Sequence, residues 1–124
     1  MIRASNGPAA TKSQVTNGVH TIAADTKPPL GKLEGLGPHE LLEASLASCL
    51  AITLRMVAME RGIALEKLDV RVTLDRSDPA RTLFRTAIEF DETLSPANRR
   101  LLMAAARNCP VRKTLSKPIA FEEG

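Results

Sequence analysis

The pattern of apolar and polar positions predicts two pairs of β-strands. Residues 12–16 and 19–24 are rich in Thr and Val and flank Asn17-Gly18, a dipeptide that favours the positive φ of a hairpin turn. Residues 69–75 alternate between apolar and polar side chains, as expected of a half-buried strand. A second alternating run, residues 84–90, follows a turn segment and predicts the returning strand.

A long apolar segment between these pairs predicts a helix. Pro38 suits its first turn and Gly62 its end, so residues 39–60 would form a helix roughly 33 Å long. From residue 41 to residue 54 only Glu, Ser and Thr side chains interrupt the apolar run, and no polar face remains. A helix of this kind is normally buried on all sides. Because one small sheet covers one side only, we expect a homodimer with these helices in its interior.

The C-terminal part predicts a second helix and a last strand. Ser95-Pro96 is a typical helix start, and the helix should run to about residue 108. Cys109-Pro110 interrupts it, residues 111–115 continue as a short helical turn, and residues 117–122 could form an edge strand. Helices and strands are segregated along the chain, so we predict an α+β fold with a largely antiparallel sheet. The 124 residues predict a single domain, 1–124.

The composition limits the partners and the cellular compartment that we expect for this protein. The chain has three Phe and no Trp or Tyr, so its core should be aliphatic and base-stacking platforms are missing. Its 17 basic and 14 acidic residues are interspersed, and we expect no nucleic-acid partner. The longest uncharged run in the apolar segment, residues 44–54, is too short to span a membrane, and no signal-peptide pattern is visible. We therefore expect a cytoplasmic protein without a membrane partner, in which thiols are free, metal-bound or catalytic.

The two cysteines have different local settings. Cys109 precedes Pro110 at a predicted helix start, where free N–H groups and nearby cations favour a thiolate, although it could also be only a helix cap. Cys49 lies about ten residues into the apolar helix, where a cysteine is usually a small buried hydrophobe. Local sequence alone thus favours Cys109 as the more reactive thiol. His20 and His39 show no recognised ligand spacing with the cysteines, so we predict no metal site.

Several separated motifs resemble one known family. They are GPHELL at 37–42, ASC at 47–49, and NCPV at 108–111 followed by Thr114-Leu115. In order and spacing they are similar to the motifs of the OsmC/Ohr family of thiol peroxidases, over roughly residues 35–122. The resemblance implies an OsmC-like fold in an intertwined homodimer, whose long central helices are wrapped by antiparallel sheets from both chains.

The resemblance also implies a reaction. The cysteine of the long helix, here Cys49, would attack an organic hydroperoxide and become a sulfenic acid while an alcohol is released. The cysteine of the NCPV motif, here Cys109, would then condense with it to a disulfide. An external dithiol reductant, dihydrolipoyl groups in some members, would restore the thiols, and no bound cofactor is expected. The implied partners are a second copy of the chain, a small hydroperoxide and this dithiol, and the implied site lies at the subunit interface.

The chain departs from the peroxidase pattern at two positions. Peroxidase members carry an N-terminal Arg that pairs with the thiolate and with a Glu directly after the Pro; here the only Arg before Arg55 is Arg3. His39 follows the Pro, and Glu40 comes one residue later. Nine helical residues turn by about 900°, so Glu40 and Cys49 point to opposite sides of an ideal helix. They could share a site only across the dimer or around a kink in the helix. Following the resemblance, we predict Glu40 as catalytic and Arg3 and His39 as binding residues.

These departures leave alternatives open. Glu40 could instead only complement the helix N-terminus. The chain could also be a family member without efficient peroxidase activity, which binds a hydrophobic ligand at the dimer interface or senses oxidants through its cysteine pair.

Overall fold

The computed structural model describes all residues, 1–124, and contains five strands and three helices. In chain order these are β1 Arg3–Ser5, β2 Ser13–Thr16, β3 Thr21–Ala24, α1 Pro38–Glu60, β4 Leu68–Asp75, β5 Leu83–Phe90, α2 Pro96–Ala106 and α3 Pro110–Leu115. The internal contacts group the chain into two compact units, an N-terminal unit of residues 1–42 and a C-terminal unit of residues 43–124. The single domain inferred from length stays a prediction.

The N-terminal unit contains an antiparallel sheet in the order β1-β2-β3. The predicted hairpin is confirmed as β2 and β3, but its turn works differently from the expectation. Gly18 alone takes a positive φ, of 96°, while the Asn17 side chain accepts hydrogen bonds from the backbone N–H groups of Val19 and His20. The sequence did not indicate β1, because three residues are too few for a periodic pattern to emerge.

A buried carboxylate, Asp25, organises the loop after β3. Its Oδ1 accepts hydrogen bonds from the Thr11 hydroxyl at 2.7 Å and the Thr26 N–H at 2.8 Å. Its Oδ2 accepts from the N–H groups of Lys32 and Glu34 at 3.1 and 3.2 Å. The Thr11 hydrogen bond, and then those from Lys32, Glu34 and Thr26, outweigh burial and lower the pKa of Asp25 to about 2. The loop is therefore closed by an ionised side chain rather than by apolar packing.

The C-terminal unit pairs β4 with β5 in antiparallel register and packs this hairpin with the helices around an aliphatic core. On α1 the buried positions recur every four residues, which places them along one face of the helix. The core residues of the three helices and the hairpin are Leu46, Leu50, Leu54, Ala58, Phe90, Leu102, Ala106 and Cys109. Only Phe90 among them is aromatic, which matches the prediction from composition.

Two polar contacts connect α1 with the chain of β4. The Glu43 carboxylate accepts a hydrogen bond from the Leu74 N–H at 2.7 Å. At the other end of the helix, the Arg55 guanidinium donates to the Leu65 carbonyl oxygen just before β4. Arg55, which ends the uncharged run in the sequence, thus bonds to a backbone group of its own chain.

The helix boundaries follow the predicted caps. Pro38 opens α1, and Gly62 takes a φ of 64° just after its end. The Ser95 hydroxyl accepts from the Asn98 N–H at 3.1 Å at the start of α2, which ends at residue 106 rather than 108. The predicted edge strand over residues 117–122 is wrong. This segment contains Pro118, which lacks an N–H group, and it pairs with no other strand.

Only one face of α1 is covered within the chain. Ile52, Met56 and Met59, which recur at helical spacing on another face, are each more than half exposed. In length and composition α1 could also cross a membrane, yet its Leu46-to-Ala58 face is part of the core of the C-terminal unit. Packing in the core therefore explains why one face of α1 is apolar. The face that contains Ile52 is also apolar but is not covered by the chain itself.

Candidate functional site

Cys49 lies in the middle of α1 at the border of its buried face. Its side chain is partly buried and packs against the aliphatic core. Thr53, one helical turn later, places its hydroxyl 4.0 Å from the Cys49 sulfur. Residues four apart on a helix lie on the same side, so α1 itself supplies this neighbour.

Cys109 is the residue that precedes α3. It takes a φ of −55° and a ψ of 124°, and Pro110 begins the helix, as predicted. Its carbonyl oxygen accepts a hydrogen bond from the Lys113 N–H at 3.1 Å. The side chain is fully buried, with 0% of its surface exposed. Cys109 thus caps α3 through its backbone carbonyl group.

The fold brings the two cysteines together as free thiols. The Cys109 thiol and the backbone N–H of Val111, in the first turn of α3, approach the Cys49 sulfur as donors and lower its pKa. The Thr53 hydroxyl is the third donor. The Cys49 sulfur therefore has three neutral donors around it, from two helices and from the second thiol.

These contacts set the two thiol acidities in opposite directions. Burial raises the pKa of Cys49, but the hydrogen bonds from Cys109, Val111 and Thr53 outweigh it, so this pKa lies below its ordinary value. Burial is also the largest influence on Cys109 and raises its pKa, and the neighbouring Cys49 raises it further, against the backbone N–H groups of Arg112 and Val111, which lower it. The more acidic thiol is Cys49, which reverses the order that local sequence favours. Burial and tertiary neighbours, which that reasoning could not see, decide the outcome.

Glu40 makes a local contact at the start of α1. Its Oε1 accepts from the Gly37 N–H at 2.9 Å, so a side chain in the first turn satisfies an N–H group just before the helix. This is one half of a capping box, because Gly37 has no side chain to return a bond, and it is the role that the sequence left open as an alternative to catalysis.

The two predicted binding residues are exposed. Arg3 lies on β1 and His39 in the first turn of α1, and no hydrogen bond or ion pair is formed by either side chain. Both belong to the N-terminal unit, whereas both cysteines belong to the C-terminal unit. The thiols are thus the predicted site residues that the structure brings together.

Sequence reasoning missed two of the three donors to Cys49. Thr53 could have been found from its spacing of four residues on a predicted helix. The Val111 N–H could not, because a backbone group carries no signature in the sequence and its approach to α1 depends on the tertiary fold.

Chemically, a thiol of lowered pKa beside a second thiol can act as a nucleophile and then form a disulfide with that thiol.

Comparison with solved structures shows the fold. A putative osmotic stress induced and detoxification response protein from Psychrobacter arcticus is 24% identical, with a TM-score of 0.76 over 91% of this chain and 85% of that one. An OsmC-like protein from Mycoplasma pneumoniae is 23% identical, with a TM-score of 0.76 over 93% and 85%. The organic hydroperoxide resistance protein OhrB of Bacillus subtilis is 22% identical, with a TM-score of 0.59 over 94% and 89%.

The family follows from the sequence itself. A comparison with curated proteins gave no significant match. The sequence profile of the family described as "OsmC-like protein" matches residues 31–124, which include α1 and both cysteines. The mixed fold of helices and antiparallel sheets agrees with those structures. The chain is therefore a member of the OsmC-like protein family.

Proposed function

We propose that the protein reduces organic hydroperoxides to alcohols through Cys49 and Cys109. The observation that carries the proposal is the neighbouring pair of free thiols in which Cys49 is the more acidic member. The thiolate is the nucleophilic form of cysteine, so a lowered pKa increases its fraction near neutral pH. Related folds include proteins named for organic hydroperoxide resistance, from Legionella pneumophila and Bacillus subtilis, which supports this choice of substrate.

The proposed chemistry has two steps and balances without a bound cofactor. The Cys49 thiolate attacks one peroxide oxygen, the O–O bond breaks, and the alkoxide takes up a proton to leave as an alcohol. Cys49 is then a sulfenic acid. The Cys109 thiol displaces its hydroxyl group, water leaves, and a Cys49–Cys109 disulfide forms. Two electrons pass from the thiol pair to the peroxide, and an external dithiol such as a dihydrolipoyl group returns them by thiol–disulfide exchange.

The packing around Cys49 supports an organic substrate. The side chain borders an aliphatic core, and an alkyl or aryl group would bury more apolar surface there than hydrogen peroxide could. We propose that the cytoplasm, which keeps thiols reduced, is where the pair cycles.

We also propose that the protein forms a homodimer. The exposed face of α1 with Ile52, Met56 and Met59 is apolar and continuous at helical spacing. Packing against the same face of a second copy would remove it from water, as the implied arrangement of two central helices requires.

A second function, oxidant sensing by the same pair, is favoured by one observation. All three donors to Cys49 are neutral groups, and no cation contributes to lowering its pKa. Without a charge to stabilise the developing products, the pair could form a disulfide once and turn over slowly. A sensor needs only that single oxidation.

The test is the thiol count and intact mass of the reduced protein after one equivalent of cumene hydroperoxide. We expect the wild type to lose both thiols and two hydrogens within one chain. Cys109→Ser should retain one added oxygen as a trapped sulfenic acid, and Cys49→Ser should consume no peroxide. Two free thiols in the wild type after excess peroxide, or consumption by Cys49→Ser at the wild-type rate, would refute the proposal.

Turnover separates the two functions. With dihydrolipoamide as reductant, a peroxidase consumes many equivalents of cumene hydroperoxide and consumes it faster than hydrogen peroxide in competition. A sensor forms the disulfide but stops after about one equivalent. Equal rates for both peroxides would remove the organic preference.

A further inference from the structure

The C-terminal unit contains a cleft that is lined by residues other than the two cysteines. It has a volume of about 330 Å³, and neither cysteine is among its lining residues. Small-molecule sites usually occupy roughly 300–1,000 Å³, so this cleft suits a small ligand. Its apolar wall comes from all elements of the unit except β4: Leu46, Leu50, Phe84, Ile88, Met103 and Leu115.

Two arginines line the same cleft. Arg107 follows the last turn of α2 and Arg112 lies in the first turn of α3. Neither forms an ion pair within the chain, and no Asp or Glu lines the cleft. The hydroxyl groups of Thr82, Thr86 and Ser116 are the other polar groups present. The cleft thus combines an apolar wall with unpaired guanidinium groups.

The charge of the surrounding segment has one sign. Between residues 94 and 121, which include α2 and α3, there is no Asp or Glu. The cations in this segment are Arg99, Arg100, Arg107, Arg112, Lys113 and Lys117. Such a field attracts anions, and guanidinium groups match the planar geometry of a carboxylate better than ammonium groups do.

We propose that this cleft binds a medium-chain alkyl carboxylate, with the chain against the apolar wall and the carboxylate on Arg107 and Arg112. The charge complementarity selects this occupant over a neutral hydrocarbon, and the volume selects a short chain over a whole lipid. The proposed binding does not require the peroxide chemistry proposed above, because neither cysteine lines the cleft.

Isothermal titration calorimetry of the reduced full-length protein with hexanoate, octanoate and decanoate tests the proposal. Each added methylene should tighten binding about fourfold until the cleft is full. Octanol should bind about tenfold more weakly than octanoate, because it lacks the charge. Absence of octanoate binding, or octanol binding as tightly as octanoate, would overturn the proposal.

Matched variants locate the site. Arg107→Gln and Arg112→Gln should each weaken octanoate binding about three- to fivefold. Arg100→Gln removes an exposed cation from the same helix α2 without touching the cleft, and should bind octanoate as the wild type does. An equal loss in all three variants would mean a diffuse charge effect and would contradict a defined site.

The redox proposal can fail without affecting this one. Cys49→Ser should bind octanoate with wild-type affinity whether or not the wild type reduces peroxides. Loss of octanoate binding in Cys49→Ser, with the fold retained by circular dichroism, would contradict the separation of the cleft from the thiol pair.

Discussion

Asp25 in the N-terminal unit and Cys49 in the C-terminal unit are both acidic side chains among neutral hydrogen-bond donors, but the two groups have different roles. In the N-terminal unit the Asp25 carboxylate accepts four hydrogen bonds, which outweigh burial, lower its pKa and close a loop. In the C-terminal unit the Cys49 sulfur accepts three, which also outweigh burial and lower its pKa. The first group has no chemistry to perform and serves the fold. The second, beside another thiol, becomes a nucleophile, so the neighbour decides the role.

The two units also differ in how much apolar side-chain surface they bury. The C-terminal unit buries an aliphatic core in which Leu54 and Leu102 are fully enclosed. In the N-terminal unit Val19, Leu30 and Leu33 stay largely exposed, and Ala24 is the one apolar side chain that is buried. Removal of apolar volume should therefore affect one unit far more than the other.

The largest expected effect comes from truncation of the same residue type in each unit. Leu54→Ala should lower the free energy of unfolding by about 2–5 kcal/mol, because it removes buried methyl groups and leaves a cavity. Leu30→Ala, at a side chain that is 81% exposed, should change it by no more than about 0.5 kcal/mol. Urea denaturation measures both. Equal losses would show that Leu30 is covered in solution and would break the contrast.

A smaller, pH-dependent effect should come from Asp25. Its pKa falls from 3.8 to about 2 on folding, so ionisation stabilises the native state fully above pH 4. This contribution decreases as the pH falls through about 4 and about 2, and it is gone only well below pH 2, where the carboxyl group is protonated in both states. Asp25→Asn should therefore destabilise the protein near neutral pH, and its difference from the wild type should shrink between about pH 4 and 2.

Thermal unfolding from pH 7 down to pH 2 checks the Asp25 prediction. Glu92→Gln, at an exposed carboxylate with no hydrogen-bond partner, is the control and should follow the wild type throughout. A constant difference between Asp25→Asn and the wild type at all pH values would mean that Asp25 acts by shape and not by charge.

The smallest effect should come from one donor to the Cys49 sulfur. Thr53→Val keeps the side-chain volume but removes the hydroxyl, so the pKa of Cys49 should rise and alkylation by iodoacetamide at neutral pH should slow by about twofold. Ser48→Ala removes a neighbouring hydroxyl that bonds only to the Ser45 carbonyl oxygen, and should leave the rate unchanged. Equal rates in all three proteins would assign the lowered pKa to Cys109 and Val111 alone.

Sequence patterns predicted the elements that local rules define. The helix from Pro38, its stop at Gly62, the β4–β5 hairpin and the start of α3 after Cys109 all follow from periodicity and capping residues. The predicted strand over residues 117–122 failed because strand formation needs a partner edge, and no local pattern shows whether one is available.

The site was less predictable for the same reason. Asp25 gave no signal, since its donors come from backbone groups that only the closed loop brings near. The relative acidity of the thiols was predicted in the wrong order from local sequence, because burial of Cys109 and the Val111 N–H depend on how α3 meets α1. The family resemblance pointed to both cysteines as a pair to examine, and their roles in a reaction stay a proposal.

The contacts of Glu43 and Arg55 have a consequence for how the C-terminal unit tolerates change. They lie twelve residues apart on α1, about 18 Å, and attach the helix to the backbone at the two ends of the β4 segment. Apolar contacts have no direction and would allow the hairpin to slide along the helix. Two directional hydrogen bonds at a fixed separation prevent this sliding, because they fix the position of the hairpin along the helix. The aliphatic residues between them can therefore change among shapes of similar volume without shifting the hairpin along α1.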